Sequence, residues 1–320
     1  MFLARPLFRL VPDDTKIPFM KGGKIGIAFS IFLSIASVVL AFYPGLEKGI
    51  DFRGGIVMEV RTPGPANIGA LRDATGGLNL GDVGIQQFGD ASTVLLRLPV
   101  QGDEAATQAA VNSVRATLET AAPGARILRT EAVGNTVSGE LFMGSLIALG
   151  ISMVAMMIYI WFRFEWQFAI GAIVTLLLET TKVVGFLAVT RIEFNLTTVA
   201  AVLTIIGFSV NDKVVVYDRM RENLRKFKTM PLRQLIDRSI NETLNRTLGT
   251  SMTLLLSAMP LALFGGDALS GFAFTMVFGI VASTSSSIFI AAPILLFLGE
   301  NKLRRGTEAA APLTGRAATR

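Results

Sequence analysis

The chain has 320 residues, of which 51% are hydrophobic and 17% charged, with a mean hydropathy of +0.55. Soluble domains carry about a quarter charged residues, so this composition excludes an ordinary soluble protein and indicates a polytopic membrane protein. The net charge of +6 does not indicate nucleic acid, because the basic residues gather in particular segments: 213–246 holds nine Lys/Arg against four Asp/Glu, whereas 44–137 holds eight against ten.

Residues 1–24 carry five basic groups against two acids and precede a first apolar run at 25–43. That run is longer than a signal-peptide core and lacks a small-residue cleavage pattern, so it reads as a retained anchor. The stretch 44–137 is the only long segment between apolar runs, and its periodicity predicts a small α+β domain. Strands are expected at 56–60, 83–87, 93–98 and 126–132, with helices at 66–74 and 104–120. That β-α-β-β-α-β order is ferredoxin-like. Five more runs, at 141–162, 168–190, 196–217, 247–264 and 271–298, complete six spans, and 138–299 is read as a five-helix region. Residues 300–320 are rich in Ala, Gly, Thr and Arg and are expected to be disordered.

Orientation follows from the basic residues, which favour the cytoplasmic side. Residues 1–24, the short 163–167 loop, the 218–246 block and the tail alternate correctly to share that side. Both termini are therefore expected in the cytoplasm. Residues 44–137 and the loops at 191–195 and 265–270 are expected outside.

The chain has neither Cys nor His, which rules out disulfides and thiolate metal sites and removes the usual proton shuttle. No phosphate-binding Gly-x-x-x-x-Gly-Lys occurs, and neither cofactor nor metal is expected. Proton chemistry is left to carboxylates, Lys, Arg, Tyr and water. The leading group is Asp212, about five residues past the middle of the 196–217 run, or roughly 7–8 Å toward its basic end. An ionisable group at the centre of a spanning helix costs roughly 2.5–3.5 kcal/mol, so it calls for a partner or a task. Arg246 immediately precedes the next run and so lies at a comparable depth, where the two charges can meet. A nearby cation favours the ionised acid and burial favours the neutral one, an opposition that suits a reversible proton carrier. The alternative is a static ion pair, or an Arg246 that only snorkels to the headgroups.

Asn211 and Lys213 flank Asp212, each turned about 100° from it on a helix. The amide suits a bond to a neighbouring helix, and the lysine is long enough to snorkel. Glu179 and Lys182, three apart on the third run, are placed to pair on one face. Tyr217-Asp218 raises an intramembrane aspartyl protease, but the required Gly-x-Gly-Asp on the next helix is missing. Asp51, Arg53, Gly54 and Gly55 read as the join between anchor and outer domain, with Asp51 and Arg53 pairing locally. Gly265 and Gly266 mark the turn between the last two spans, and the 283–287 serine run reads as small residues for close helix packing.

Three blocks carry a resemblance: Gly207-Phe208-Ser209-Val210-Asn211-Asp212-Lys213-Val214-Val215-Val216-Tyr217-Asp218-Arg219-Met220-Arg221-Glu222-Asn223, Gly49-Ile50-Asp51-Phe52-Arg53-Gly54-Gly55, and Leu263-Phe264-Gly265-Gly266-Asp267-Ala268-Leu269. Their order and the spacing of the runs, from about Lys24 to Gly299, resemble the SecF members of the SecD/SecF family within the resistance-nodulation-division superfamily. The resemblance implies six transmembrane helices with an outer ferredoxin-like α+β domain in the inner membrane. It also implies work with SecD beside the SecYEG channel, promoting export of a translocating polypeptide with the proton motive force. Such a component makes and breaks no covalent bond and is not an enzyme. The family positions matching Asp212 and Arg246 are implicated in proton-dependent function. Many relatives carry a smaller polar residue at the position of Lys213, and a His-Asp pair where this chain has Leu178-Glu179. A relay through that imidazole is therefore absent here, while Glu179 keeps an acid. Two other readings stand beside this one: half of a proton-driven small-molecule exporter, and a structural scaffold without proton coupling.

Overall fold

A computed structural model describes residues 11–12, 15–81 and 83–297. The tail expected to be disordered, 300–320, lies outside the described residues, as do residues 1–10. The first span is α1 (Phe19–Leu40), continued by a π-turn at Ala41–Gly45; a single turn, α2 (Ile50–Arg53), leads out of it.

The outer domain then follows as β1 (Gly55–Arg61), α3 (Ile68–Gly76), β2 (Gly84–Gln87), β3 (Thr93–Leu98), α4 (Glu104–Ala121) and β4 (Arg126–Val133). This is the expected ferredoxin-like order. The sheet is antiparallel with strand order β2-β3-β1-β4. Alternation along β1 sends Ile56, Met58 and Val60 to one face, where they pack with Val94, Leu96 and Leu98 of β3. Leu71 of α3 and Val111, Val114 and Leu118 of α4 cover that face. Asn67 and Asp103 start these two helices, each accepting a hydrogen bond from the backbone N–H three residues on, as N-caps do.

The remaining spans are α5 (Asn135–Arg163), α6 (Trp166–Thr190), α7 (Leu196–Lys226), α8 (Leu232–Phe264) and α9 (Gly266–Ser286), the last continued by a π-turn at Ser287–Ala291 and α10 (Ala292–Phe297). Six helical segments among the described residues are long and apolar enough to cross a membrane. Their burial differs sharply: α6, α7 and α9 form the interior, while α5 is almost wholly exposed along its apolar length. Small residues let the inner helices approach. A side chain at Gly185 of α6 would collide with Ser37 of α1, and one at Gly279 of α9 with Ile205 of α7. With lipid tails as apolar as the helices, such close packing and polar bonds hold spans together.

The structure extends several helices past the expected runs, α1 starting at Phe19 and α5 at Asn135, and does so most around 218–246. The 218–246 block is not a free loop: α7 runs on to Lys226 and α8 begins at Leu232. The two basic extensions are locked together. Glu242 accepts from Arg219 Nε (2.7 Å), Arg238 Nε (2.8 Å) and Asn223 Nδ2 (2.8 Å), and Asn223 also donates to Ser239 (3.0 Å).

Candidate functional site

A polar cluster occupies the interior between α6, α7, α8 and α9. On α7, Ser209, Asp212 and Lys213 are all buried, because spacings of three and four residues put them on one helix face. From α6, Glu179 projects into the same region with 2% exposure. Lys213 Nζ donates to Glu179 Oε1 at 2.8 Å, and Ser209 and Ser286 donate to the same carboxylate. The pair is desolvated on both sides, with side-chain exposures of 0% for Lys213 and 3% for Glu179. Two opposite charges removed from water stay there only if each is paired and hydrogen-bonded, and the two hydroxyls supply the extra bonds.

Asp212 is in a different situation. It is 3% exposed, its polar neighbours are the Thr247 and Ser287 hydroxyls, and Lys213 acts on it electrostatically. Asp212 Oδ2, Thr247 Oγ1 and Ser287 Oγ have no hydrogen-bond partner of normal geometry among the described residues. Buried polar atoms without partners are costly and rare, and each calls for an explanation such as strain, a catalytic role or an ordered water.

The geometry revises several expectations. Arg246 does not meet Asp212: it is exposed, and α8 presents the next residue, buried Thr247, to the carboxylate. Lys213 does not snorkel but is sealed inside against Glu179. Glu179 consequently pairs with Lys213 across helices and not with Lys182 on its own helix; Lys182 is buried nearby and senses both charges. Asn211 is exposed and bonds no neighbouring helix among the described residues. The serine run is more than packing material, since Ser286 and Ser287 face Glu179 and Asp212 respectively. Tyr217 is a core aromatic edge-on to Phe168 (5.0 Å), and Asp218 is held by Arg163 Nη2 at 2.8 Å. The two therefore form no unit of protease type.

The join motif is clasped to the loop between α6 and α7. Asp51 does not pair with Arg53; its Oδ2 accepts from Leu196 N–H at 2.9 Å, at the first turn of α7, where a carboxylate also meets the positive helix end. Arg53 instead lies 3.8 Å from Glu47. Phe194 N–H donates to Glu47 O (2.6 Å) and Gly49 N–H to Phe194 O (3.0 Å), while Phe52 packs on Phe194 and Phe142. Arg97 of β3 pairs with Glu193; partial burial lowers the pKa of this guanidinium and Glu47 opposes that shift. Gly54 and Gly55 have φ of +71° and +120°, a region open to glycine and closed to most side chains. A Cβ at Gly55 would sit 2.6 Å from the Leu98 carbonyl oxygen. At the turn between α8 and α9, Gly265 closes α8 and Gly266, at φ +67°, opens α9. The outer domain is thus tied to the end of the helix that carries Asp212.

Comparison with known proteins follows the same lines. The family model described as protein export membrane protein SecD/SecF, C-terminal, matches residues 113–301. The chain is 43% identical over 304 residues to the protein translocase subunit SecF of Rhodobacter capsulatus, covering 91% of each. It is 40% identical over 301 residues to the subunit of the same name from Cereibacter sphaeroides, covering 92% of this chain and 93% of that one. Among solved structures, SecDF from Thermus thermophilus, titled a translocon-associated membrane protein, superposes with a TM-score of 0.81 at 30% identity. That match covers 92% of this chain, which spans only 40% of the SecDF chain. On sequence, helix plan and outer domain together, the chain belongs to the SecF side of the SecD/SecF family of protein-export membrane proteins.

Proposed function

We propose that this chain is an accessory subunit of the Sec translocase, working with SecD beside the SecYEG channel to promote export of a translocating polypeptide, and that Asp212 carries the coupled proton. The observation that carries the reading is a buried carboxylate with an unbonded oxygen, on a helix whose other end is capped from the outer-domain join. Moving one charge through the membrane field releases about 2.3 kcal/mol per 100 mV. Gain and loss of a proton at Asp212 change the charge buried between α7, α8 and α9, and the packing of α7 responds. The clasp of Asp51 on Leu196 and of Arg97 on Glu193 carries that movement to the outer domain. Gly54 and Gly55 supply its pivot. Depletion of the protein is expected to slow maturation of secreted precursors and leave drug susceptibility unchanged apart from envelope damage. Normal precursor processing with heightened sensitivity to one compound family would instead identify half of a small-molecule exporter.

The same reading places the protein in the cell inner membrane with 1–24, 218–246 and the tail in the cytoplasm, and 44–137 as a periplasmic domain. The Lys/Arg asymmetry supports it. The Cys-free sequence makes the test direct. Arg115→Cys should react with an impermeant thiol reagent added to cells whose outer membrane is permeable, and Lys228→Cys only after the inner membrane is opened. Labelling of Lys228→Cys in sealed cells would invert the topology.

A further inference from the structure

The basic ends of α5 and α7 border an open pocket of about 470 Å³ lined by Arg163, Asp218, Arg221, Glu222, Arg225 and Lys226. Positions 218, 221, 222, 225 and 226 fall within about 140° of arc on α7, so the helix itself gathers them on one side. Both acids of the pocket are already engaged. Asp218 is held by Arg163 at 2.8 Å and Glu222 by Arg219 at 2.5 Å, while Arg221 lies 3.4 Å from Glu165 outside the pocket lining. Arg225 has no ion pair among the described residues, and the Lys226 ammonium stands 5.5 Å over the Phe227 ring. Two cationic groups therefore face the pocket without a carboxylate. Arg221 and Arg225, four apart, repel each other on the helix surface. The negative end of the α7 dipole accounts for basic residues in its last turn, but not for Arg163 and Arg221 converging from two helices on the same pocket.

The depth of the pocket is fixed by its surroundings. Trp161 and Phe162 immediately precede Arg163, Trp166 opens α6, and these rings are 62%, 90% and 45% exposed. Exposed aromatics at the end of a spanning helix mark the level of the lipid headgroups. From this juxtaposition we infer that the pocket binds the phosphodiester of an anionic phospholipid, with Arg225 and Lys226 as the primary contacts and Arg163 and Arg221 completing a basic cradle. Basic pockets between helix ends at that level suit such headgroups, and arginine forks match phosphate oxygens. The inference is independent of the proton reading, since no residue of the pocket belongs to the Asp212 or Glu179 clusters.

The test uses the full chain, purified and exchanged into neutral detergent micelles with phosphatidylcholine, then titrated with phosphatidylglycerol and read by native mass spectrometry and thermal unfolding. Phosphatidylglycerol should remain bound and raise the unfolding midpoint, and extra phosphatidylcholine should do neither. The Arg225→Gln/Lys226→Gln protein should melt normally in phosphatidylcholine yet bind phosphatidylglycerol about thirtyfold more weakly. A charge-matched control in the outer domain, Arg115→Gln/Arg126→Gln, should bind it as the parent does. Equal weakening in both variants, or equal retention of the two lipids, would overturn the site. Binding of soluble glycerol phosphate as strong as that of the lipid would make it a free-anion site and overturn the lipid assignment.

Discussion

Asp212→Asn is expected to insert, fold and keep its thermal stability while export falls toward the level seen without a proton gradient. The amide has the size of the carboxylate and cannot ionise. Its introduction strands no cation, because Lys213 already has Glu179 and Arg246 is exposed. Replacing a buried carboxylate that has an unbonded oxygen with a neutral isostere should be neutral or mildly stabilising. The functional loss has a natural scale. One charge moved through 100 mV is worth about 2.3 kcal/mol, or a bias of about fiftyfold. Arg246→Gln supplies the contrast: as an exposed residue without an ion pair among the described residues it should change stability by no more than about 0.5 kcal/mol. A scaffold held by an Asp212–Arg246 pair would lose stability in both single variants and recover it in the double. Protein level, unfolding temperature in detergent and gradient-dependent export of a reporter precursor separate the two cases. Full gradient-dependent export by a stable Asp212→Asn protein would end the proton assignment.

The six spans and the outer domain were legible in the sequence because they rest on run length and on periodicities of 3.6 and 2, which local residues set. The ends of α7 and α8 were not. A block dense in Arg, Lys and Glu reads as a loop beside a membrane, yet these are good helix formers, and the bonds converging on Glu242 fasten the two extensions into one unit. Depth was also legible, since 1.5 Å per residue places Asp212 and Arg246 in the same layer. Which way a helix faces was not. Arg246 and Thr247 differ by about 100° around α8, and that rotation decides which of them Asp212 meets. Partner choice failed for the same reason at Glu179, whose neighbour in sequence is Lys182 and whose partner in space comes from another helix. Asp51 looked local beside Arg53 and instead caps a helix 145 residues away.

The second large effect is expected at Glu179, a carboxylate that faces two buried lysines, Lys213 and Lys182. Glu179→Gln removes the direct partner of Lys213 and the acid beside Lys182, leaving Asp212 as the remaining carboxylate that acts on Lys213, and weakens the bonds from Ser209 and Ser286. Breaking a buried pair by removing one member costs about 3–5 kcal/mol, a large share of the roughly 5–15 kcal/mol that separates a folded domain from its unfolded chain. Lys213→Met should cost less, because Lys182 still balances Glu179 and the methionine fills much of the same volume with apolar atoms. Combining Glu179→Gln with Lys213→Met should then recover part of the loss, since only Lys182 remains unpaired. The ordering is the test: unfolding of each variant in detergent, referred to the parent, should rank Glu179→Gln below the double variant, and the double variant below Lys213→Met. If Lys213→Met were the most damaging of the three, Lys182 would not be sharing the Glu179 charge, and the carboxylate would be held by Lys213 alone.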